Sequence, residues 1–172
     1  RMLNSLNASL GEQGIRVSIP SQRLDSFGIE MATAVAGGKR GGLTFAPEAG
    51  TQRLRDVINK NVTEENLETA ARNAFELGWR RCKLYFMMGL PTETDEDIVA
   101  IAEAAERVLE IGREAVGRGR KSGVSVSISV AVFVPKSYTA FQWAGQLDPE
   151  EVRRRQQLLL HSCHDRAIRV SY

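Results

Sequence analysis

The sequence predicts an α/β fold in which parallel strands alternate with helices along the chain. Short apolar segments of strand length, such as 83–88, are followed by longer segments whose apolar residues recur at helical spacing, such as 98–109. Residues that favour helix starts, Thr63, Thr94 and Asp148, precede three of the longer segments. Repeated βα units imply a parallel sheet with right-handed crossovers, and both an open doubly wound sheet and a partial barrel satisfy that order.

The first predicted element is a helix that starts at about residue 3, with no capping signal before it. The chain therefore looks as if it begins inside a helix, and we expect it to be a piece of a longer protein. A period-two strand over 15–19 ends at Pro20, and a helix over about 26–36 ends at a pair of glycines.

The elements expected after residue 42 follow the same alternation. The helix that Thr63 caps carries an apolar stripe, and the run 83–88 is apolar enough for a strand buried on both faces. The helix that Asp148 caps has Pro149 at its first helical position. The full predicted order is strand 42–45, a short helix from Thr51, a helix from Thr63, strand 83–88, a helix from Thr94, strand 124–134, a helix from Asp148 to about Ser162, and a possible strand over 167–171.

Composition and charge narrow the class of protein. The chain has 172 residues, of which 42% are hydrophobic and 26% charged, which is ordinary for a soluble domain with one core. We therefore expect a single domain over residues 1–172. The net charge of +2 predicts no strong preference for nucleic acid or membranes, and no apolar run is long enough to span a bilayer. Two distant cysteines do not indicate a secreted disulfide scaffold, so the cytoplasm is the expected location.

Four loops follow predicted strands, and the carboxyl ends of parallel strands meet on one side of a sheet. The most informative of them is 46–51, where Glu48 and Gly50 precede a helix whose first turn contains Arg53 and Arg55. Cations are disfavoured at a helix N-terminus, so this pair suggests that an anionic group is expected there. The alternative is that both arginines are solvated surface residues. The other three loops are 20–23, 89–94 and 135–139.

Three segments in order resemble the radical S-adenosylmethionine (SAM) enzymes. Residues 45–54 with 58–63 resemble the fourth strand and its helix, and 85–97 resembles the fifth strand with its Gly-Leu-Pro-x-Glu-Thr turn. Residues 133–141 resemble the sixth strand and its proline loop. The branch is the one that includes methylthiotransferases and cobalamin-linked members. The resemblance implies a partial (β/α) TIM-like barrel with parallel strands, the C-terminal portion of a radical SAM core.

Two departures from the family pattern qualify what this chain is expected to do. The three clustered cysteines that hold a [4Fe–4S] cluster are absent, and neither Cys82 nor Cys163 fits their pattern. We therefore expect this chain alone to hold no cluster and to be inactive. Thr92 stands where many relatives have a glycine, so the family's turn geometry is not carried over to this position.

The resemblance also assigns binding roles. Glu48 would accept hydrogen bonds from the amino group or ribose hydroxyls of SAM, and Arg53, in preference to Arg55, would pair with its carboxylate. Ser21 and Arg23 are a second candidate set for the carboxylate or the substrate. The remaining expected cofactor-binding residues are Thr51, then Gly89, Leu90 and Pro91 near the adenine, and Val134 and Pro135 as an apolar wall. No general acid or base is identified, so the catalytic residues stay unknown.

The intact enzyme that this resemblance implies binds SAM and a [4Fe–4S] cluster, with cobalamin as a possible further cofactor. It would cleave SAM reductively to a 5′-deoxyadenosyl radical, and its substrate cannot be deduced. One alternative is an α/β-barrel enzyme that binds phosphate at these helix N-termini. The other is a non-catalytic binding module that uses the exposed sheet edge of an open barrel, an edge through which the chain would also dimerise.

Overall fold

The computed structural model describes residues 9, 10, 13, 42–116 and 123–172. The strand predicted over 15–19, its two neighbouring helices and the loop 20–23 lie outside the described residues, and so do Ser21 and Arg23. The elements that follow alternate as the sequence predicts. They are β1 (Leu43–Glu48), α1 (Gln52–Val57), α2 (Glu64–Glu76), β2 (Arg81–Met88), α3 (Asp95–Val116), β3 (Ser125–Val132), α4 (Pro149–Ser162) and β4 (Ile168–Ser171).

The four described strands form one parallel sheet in the order β1-β2-β3-β4. Each strand pairs with the next one along the chain, whereas a doubly wound sheet reverses its order at a switch point. Consecutive parallel pairing with helical crossovers is the arrangement of a (β/α) barrel. The predicted partial barrel is therefore confirmed, and the open doubly wound alternative is wrong.

Local capping signals explain where the helices begin. Thr63 and Asn66 form a reciprocal capping box at the start of α2, with N–H to side-chain oxygen distances of 3.0 and 3.1 Å. Asp148 accepts from the backbone N–H groups of Glu150 and Glu151 at 2.9 Å, and Pro149 occupies the first turn of α4. These satisfied N–H groups fix both helix starts where the sequence predicts them.

The core lies between the helices and one face of the sheet. The predicted stripes of α2 and α3 are buried, and Phe45, Leu84, Phe86 and Ile128 of the sheet pack in the same cluster. Burying these side chains is the main source of the stability of the fold, at about 1.5–3 kcal/mol for each large apolar side chain.

The prediction that 83–88 is buried on both faces is wrong. Its buried residues alternate with Lys83, Tyr85 and Met87, and Tyr85 is 39% exposed. The main core of the described residues includes the even-numbered face of β2 only. Lys83 and Tyr85 are long amphipathic side chains, which a hydropathy pattern counts as compatible with a buried strand.

Candidate functional site

Three loops at the carboxyl ends of β1, β2 and β3 meet in the structure. Ala49 from the first loop and Leu90 from the second pack with Leu54 of α1 in a small buried cluster, and Phe133 from the third loop packs against it. We call these three loops, residues 46–51, 89–94 and 133–135, the rim. The predicted convergence is therefore observed for the loops 46–51 and 89–94, and the third strand joins them through Phe133, just before the predicted loop 135–139.

A bulge at the end of β1 sets the position of Glu48. Phe45 pairs with Leu84, but Glu48 pairs with Phe86, so β1 contains one residue more than its partner strand. Glu48 has a φ of +72°, in the left-handed region that non-glycine residues rarely adopt. Its Oε1 accepts from the Lys60 Nζ at 3.1 Å, and its side chain is 27% exposed. The carboxylate is thus ordered by one cation and still open to solvent.

The first loop packs tightly against the start of α3. A Cβ on Gly50 would lie 2.3 Å from the carbonyl oxygen of Asp97, so no other residue fits there without a backbone shift. Thr51 is the N-cap of α1 and accepts from the Leu54 N–H at 3.2 Å. Its hydroxyl also donates to the Asp97 carboxylate. Thr51 therefore serves the helix and the contact between loops at once.

Asp97 joins the first two loops of the rim. It is almost fully buried and accepts from the Thr94 N–H at 2.7 Å, from the Thr94 hydroxyl at 3.1 Å, and from Thr51 and Arg53. Burial raises the pKa of Asp97, but these hydrogen bonds together outweigh it and hold the pKa below its ordinary value of 3.8. Asp97 is therefore the buried anion that stabilises the N-termini of both α1 and α3.

Arg53 lies across the second loop. Its guanidinium donates to the Thr92 carbonyl at 3.0 Å, to the Thr92 hydroxyl at 3.3 Å, and to Asp97. The side chain is 50% exposed. Arg53 is thus fixed at the rim by protein contacts while half of its surface faces solvent.

Arg55 has a different environment and is 1% exposed. It donates to the carbonyl oxygens of Ala49 and Gly50 at 3.1 and 3.0 Å, and its Nε has no hydrogen-bond partner among the described residues. Burial lowers the pKa of Arg55. Its guanidinium lines a cavity of about 260 Å³ with residues of α2 and α3. It therefore supports the first loop from the helix side, and a role in ligand binding stays a prediction.

The second loop is held by a buried carboxylate. The Gly89 N–H donates to the Glu93 carboxylate at 2.6 Å, and Arg155 of α4 donates to the same oxygen at 2.5 Å. Burial raises the pKa of Glu93 above its ordinary value despite these two donors. Gly89 has a φ of +89°, and a Cβ there would lie 2.9 Å from Leu147. Leu90 is buried and Pro91 half-buried beside it.

Thr92 has a φ of +66°, which explains why a glycine at this position would suit the turn. A β-branched residue therefore holds a backbone conformation that glycine adopts without strain. The two hydrogen bonds from Arg53 to Thr92 help to hold it there.

The third loop supplies apolar surface. The Phe133 N–H donates to the Met88 carbonyl at 2.8 Å and continues the β2–β3 pairing to the rim. Val134 is 53% exposed and Pro135 is half-buried, so the predicted apolar wall is accessible to a ligand.

Sequence reasoning missed three residues of this site. Asp97 had a local signal, since Thr94 and Asp97 have the spacing of a capping box. Glu93 lies inside the recognised turn motif, but its partner Arg155 is 62 residues away. Lys60 carried no signal, because its contact with Glu48 depends on the path of the chain after α1. Which of the rim residues contact a cofactor stays a prediction.

The residues present include groups of the kinds that bind SAM, but they do not include the ligands of an iron–sulfur cluster. Glu48 and Arg53 each offer a partly exposed charged group, and Val134 offers exposed apolar surface, which are the kinds of group that SAM requires. A [4Fe–4S] cluster needs several thiolates in one place. The two cysteines of the chain are free, Cys82 is buried in the sheet, and the described residues contain no group of three side chains able to hold a metal.

No helix in the described part of the chain is long and apolar enough to cross a membrane.

The chain is 35% identical over 133 residues to an uncharacterized protein of Methanocaldococcus jannaschii, a match that covers 77% of this chain and 27% of that protein. The chain thus spans about a quarter of the length of this relative. It is also similar to the crystal structure of a sugar phosphate isomerase/epimerase from Parabacteroides distasonis, at 17% identity and a TM-score of 0.48, over 99% of this chain and 61% of that one.

The profile of the radical SAM superfamily matches residues 2–105, which is more than half of the chain and includes the first two loops of the rim. The match agrees with the motifs at 45–54 and 85–97 and with the partial barrel that carries them. The chain belongs to the radical SAM superfamily.

Proposed function

We propose that this chain is the SAM-binding part of a radical SAM iron–sulfur enzyme, in the branch that includes methylthiotransferases and cobalamin-linked members. The observation that supports the proposal is the packing of Ala49, Leu90 and Phe133, from the three loops of the rim, around Leu54 within a superfamily whose members use SAM. Glu48 and Val134 belong to these loops, and Arg53 lies across the second. The intact enzyme would cleave SAM reductively to a 5′-deoxyadenosyl radical. Residues 1–172 alone would form one inactive domain of that enzyme.

Each rim residue has a definite binding task in this proposal. The Glu48 carboxylate, held by Lys60, accepts hydrogen bonds from the amino group or ribose hydroxyls of SAM. Arg53 binds the carboxylate of the methionine part, because its position is already fixed by Thr92 and Asp97. The apolar surface of Val134 and Pro135 lies against the adenine ring, and the backbone of 89–91 approaches the edge of that ring.

The [4Fe–4S] cluster supplies the electron for SAM cleavage in this superfamily, and its ligands must come from cysteines other than Cys82 and Cys163. In the full-length protein, produced and reconstituted with iron and sulfide without oxygen, we expect 5′-deoxyadenosine to form from SAM under reduction. Absence of 5′-deoxyadenosine from a protein with a complete cluster would contradict the proposal. Absorption spectra of that protein with and without added cobalamin test the second cofactor.

The role of Glu48 is tested by the affinity for SAM. We expect Glu48→Ala to weaken SAM binding by about tenfold or more, since hydrogen bonds to a charged group contribute about 1.5–3 kcal/mol. The matched control is Glu65→Ala, which removes an exposed carboxylate from α2. Equilibrium dialysis of radiolabelled SAM measures both, and equal affinities for the two variants would remove Glu48 from the site.

A further inference from the structure

The second face of the sheet, opposite the core, is lined by polar and cationic side chains. Lys83 pairs with Ser127, and Ser127 pairs with Arg169, so these three residues form one row across β2, β3 and β4. Tyr85 and Ser129 form the next row toward the rim, and Met87 and Ala131 form the last. We call these three rows the polar face. The first row spans about 10 Å, which is two inter-strand distances.

The positive charge of the first row is not neutralised by the described part of the protein. Lys83 Nζ lies 4.7 Å from the centroid of the Tyr85 ring, and neither Lys83 nor Arg169 has a carboxylate within 4.0 Å among the described residues. The hydroxyls of Tyr85, Ser127 and Ser129 have no hydrogen-bond partner there either, and Tyr85 is 39% exposed. Cations and free hydroxyl donors on one surface are the groups that bind anionic oxygen atoms.

Such a face is unusual for a parallel sheet. Parallel strands are normally buried on both faces and read as continuous apolar runs. The sequence Ser125–Val132 instead alternates serine with valine or isoleucine over most of its length. A packed barrel interior is filled by bulky branched side chains, whereas serines and cations there leave space and polarity for a ligand.

We propose that the polar face binds the anionic head group of the substrate, a carboxylate or phosphate, through Lys83 and Arg169. The proposal rests on the function proposed above, because it places the substrate of that enzyme beneath the SAM at the rim. The head group lies at the first row with Ser127 between the two cations, and the Tyr85 hydroxyl is available to a group nearer the rim.

The order of the rows also fixes the direction of the substrate. Met87 lies four positions after Lys83, which corresponds to about 13 Å along the strand. The last row, Met87 and Ala131, is apolar and adjoins the rim cluster. The substrate is therefore an elongated molecule with its charge at the first row and its C–H-rich part at the rim.

Two matched double variants of the full-length protein test the charge of the ligand. K83Q/R169Q removes both cations of the polar face. R153Q/R166Q removes two exposed cations that do not belong to the rows of that face, one from α4 and one from the loop before β4. Isothermal titration calorimetry measures the affinities of pyrophosphate, citrate and uncharged glucose at low salt. We expect the wild type to bind at least one anion and not glucose. K83Q/R169Q should weaken the anion at least about tenfold, and R153Q/R166Q less than about twofold.

The choice of anion distinguishes the two classes of head group. Binding of pyrophosphate alone identifies a phosphate, and binding of citrate identifies a carboxylate. Three outcomes would overturn the proposal. They are equal affinities of the two double variants for the anion, binding of glucose without binding of an anion, and no binding of any probe. Since R169Q alone alters an exposed side chain of an outer strand, it should give a smaller loss in the same direction. Formation of 5′-deoxyadenosine by the wild type, measured separately, shows whether the proposed function itself has failed.

Discussion

Replacement of Asp97 tests whether a buried carboxylate holds the first two rim loops together. In Asp97→Asn the amide oxygen can still accept from the Thr94 N–H, and the amide NH2 can donate to Thr51, whose hydroxyl turns to accept. The main loss is the charge opposite Arg53. Hydrogen bonds to charged groups contribute about 1.5–3 kcal/mol, and the half-exposed position of Arg53 reduces that figure. We expect a loss of about 1–2 kcal/mol.

The loss should be local, so hydrogen exchange of the full-length protein is the suitable assay. Peptides that cover 49–57 and 93–101 should exchange about five- to thirtyfold faster in Asp97→Asn, which corresponds to 1–2 kcal/mol of opening free energy. The control is Asp95→Asn, which breaks a surface ion pair with Arg154 and should change the same peptides by less than 1 kcal/mol. Equal exchange in the two variants would refute the assignment of Asp97 as the link between the loops.

The difference in opening free energy between wild type and Asp97→Asn should change with pH in a definite direction. The pKa of Asp97 in the folded protein lies below its ordinary value of 3.8, so the unfolded state binds its proton first as the pH falls. The stabilisation by the carboxylate is therefore complete above about pH 5 and decreases as the pH falls through the folded pKa. Because asparagine does not titrate, the gap between wild type and Asp97→Asn should be constant from pH 7 to about pH 5 and should narrow below about pH 4. A gap that widens in acid would contradict the reasoning.

Two backbone predictions concern the same loops. Gly50→Ala should destabilise the domain by about 1–3 kcal/mol in urea unfolding, since its Cβ would lie 2.3 Å from the Asp97 carbonyl oxygen, whereas Gly145→Ala, with no atom within 4 Å, should have little effect. An equal response of the two variants would show that the first loop does not pack closely on α3. Thr92→Gly should stabilise the domain by about 1 kcal/mol by removing a left-handed β-branched residue, whereas Thr69→Gly inside α2 should destabilise it. A loss of stability in Thr92→Gly would mean that its contact with Arg53 outweighs the backbone strain.

The parts of the fold that the sequence predicts well are those with local causes. Thr63 and Asp148 cap their helices with bonds to residues two or three positions away, so the pattern that predicts the helix also contains its cap. The short strand β4 is confirmed over Ile168–Ser171, although its pairing with β3 depends on residues about 40 positions earlier. The consecutive strand order was not fixed by these local signals, because a doubly wound sheet contains the same βα units.

The contacts at the rim could not be predicted from local sequence patterns. Two arginines near a helix N-terminus predict an anionic partner, and the structure contains one for Arg53 in Asp97, which belongs to the next βα unit. Arg55 donates to the carbonyl oxygens of its own loop and lies 3.5 Å from the carboxylate of Glu64 at the start of α2. Both partners are contacts of the folded chain, so helix-dipole reasoning identifies the need for acceptors but not whether protein or ligand supplies them.

The contact with Asp97 does not rule out the proposed binding role of Arg53, because a guanidinium has five N–H donors. Two of them, on Nη2, donate to the Thr92 carbonyl and to Asp97, and one on Nη1 donates to the Thr92 hydroxyl. The remaining two have no acceptor among the described residues, and half of the side chain is exposed. Asp97 and Thr92 therefore orient Arg53 before a ligand arrives, which lowers the entropic cost of binding a carboxylate at the rim. A ligand carboxylate can accept from one of these free donors, so its binding leaves the link between the loops intact.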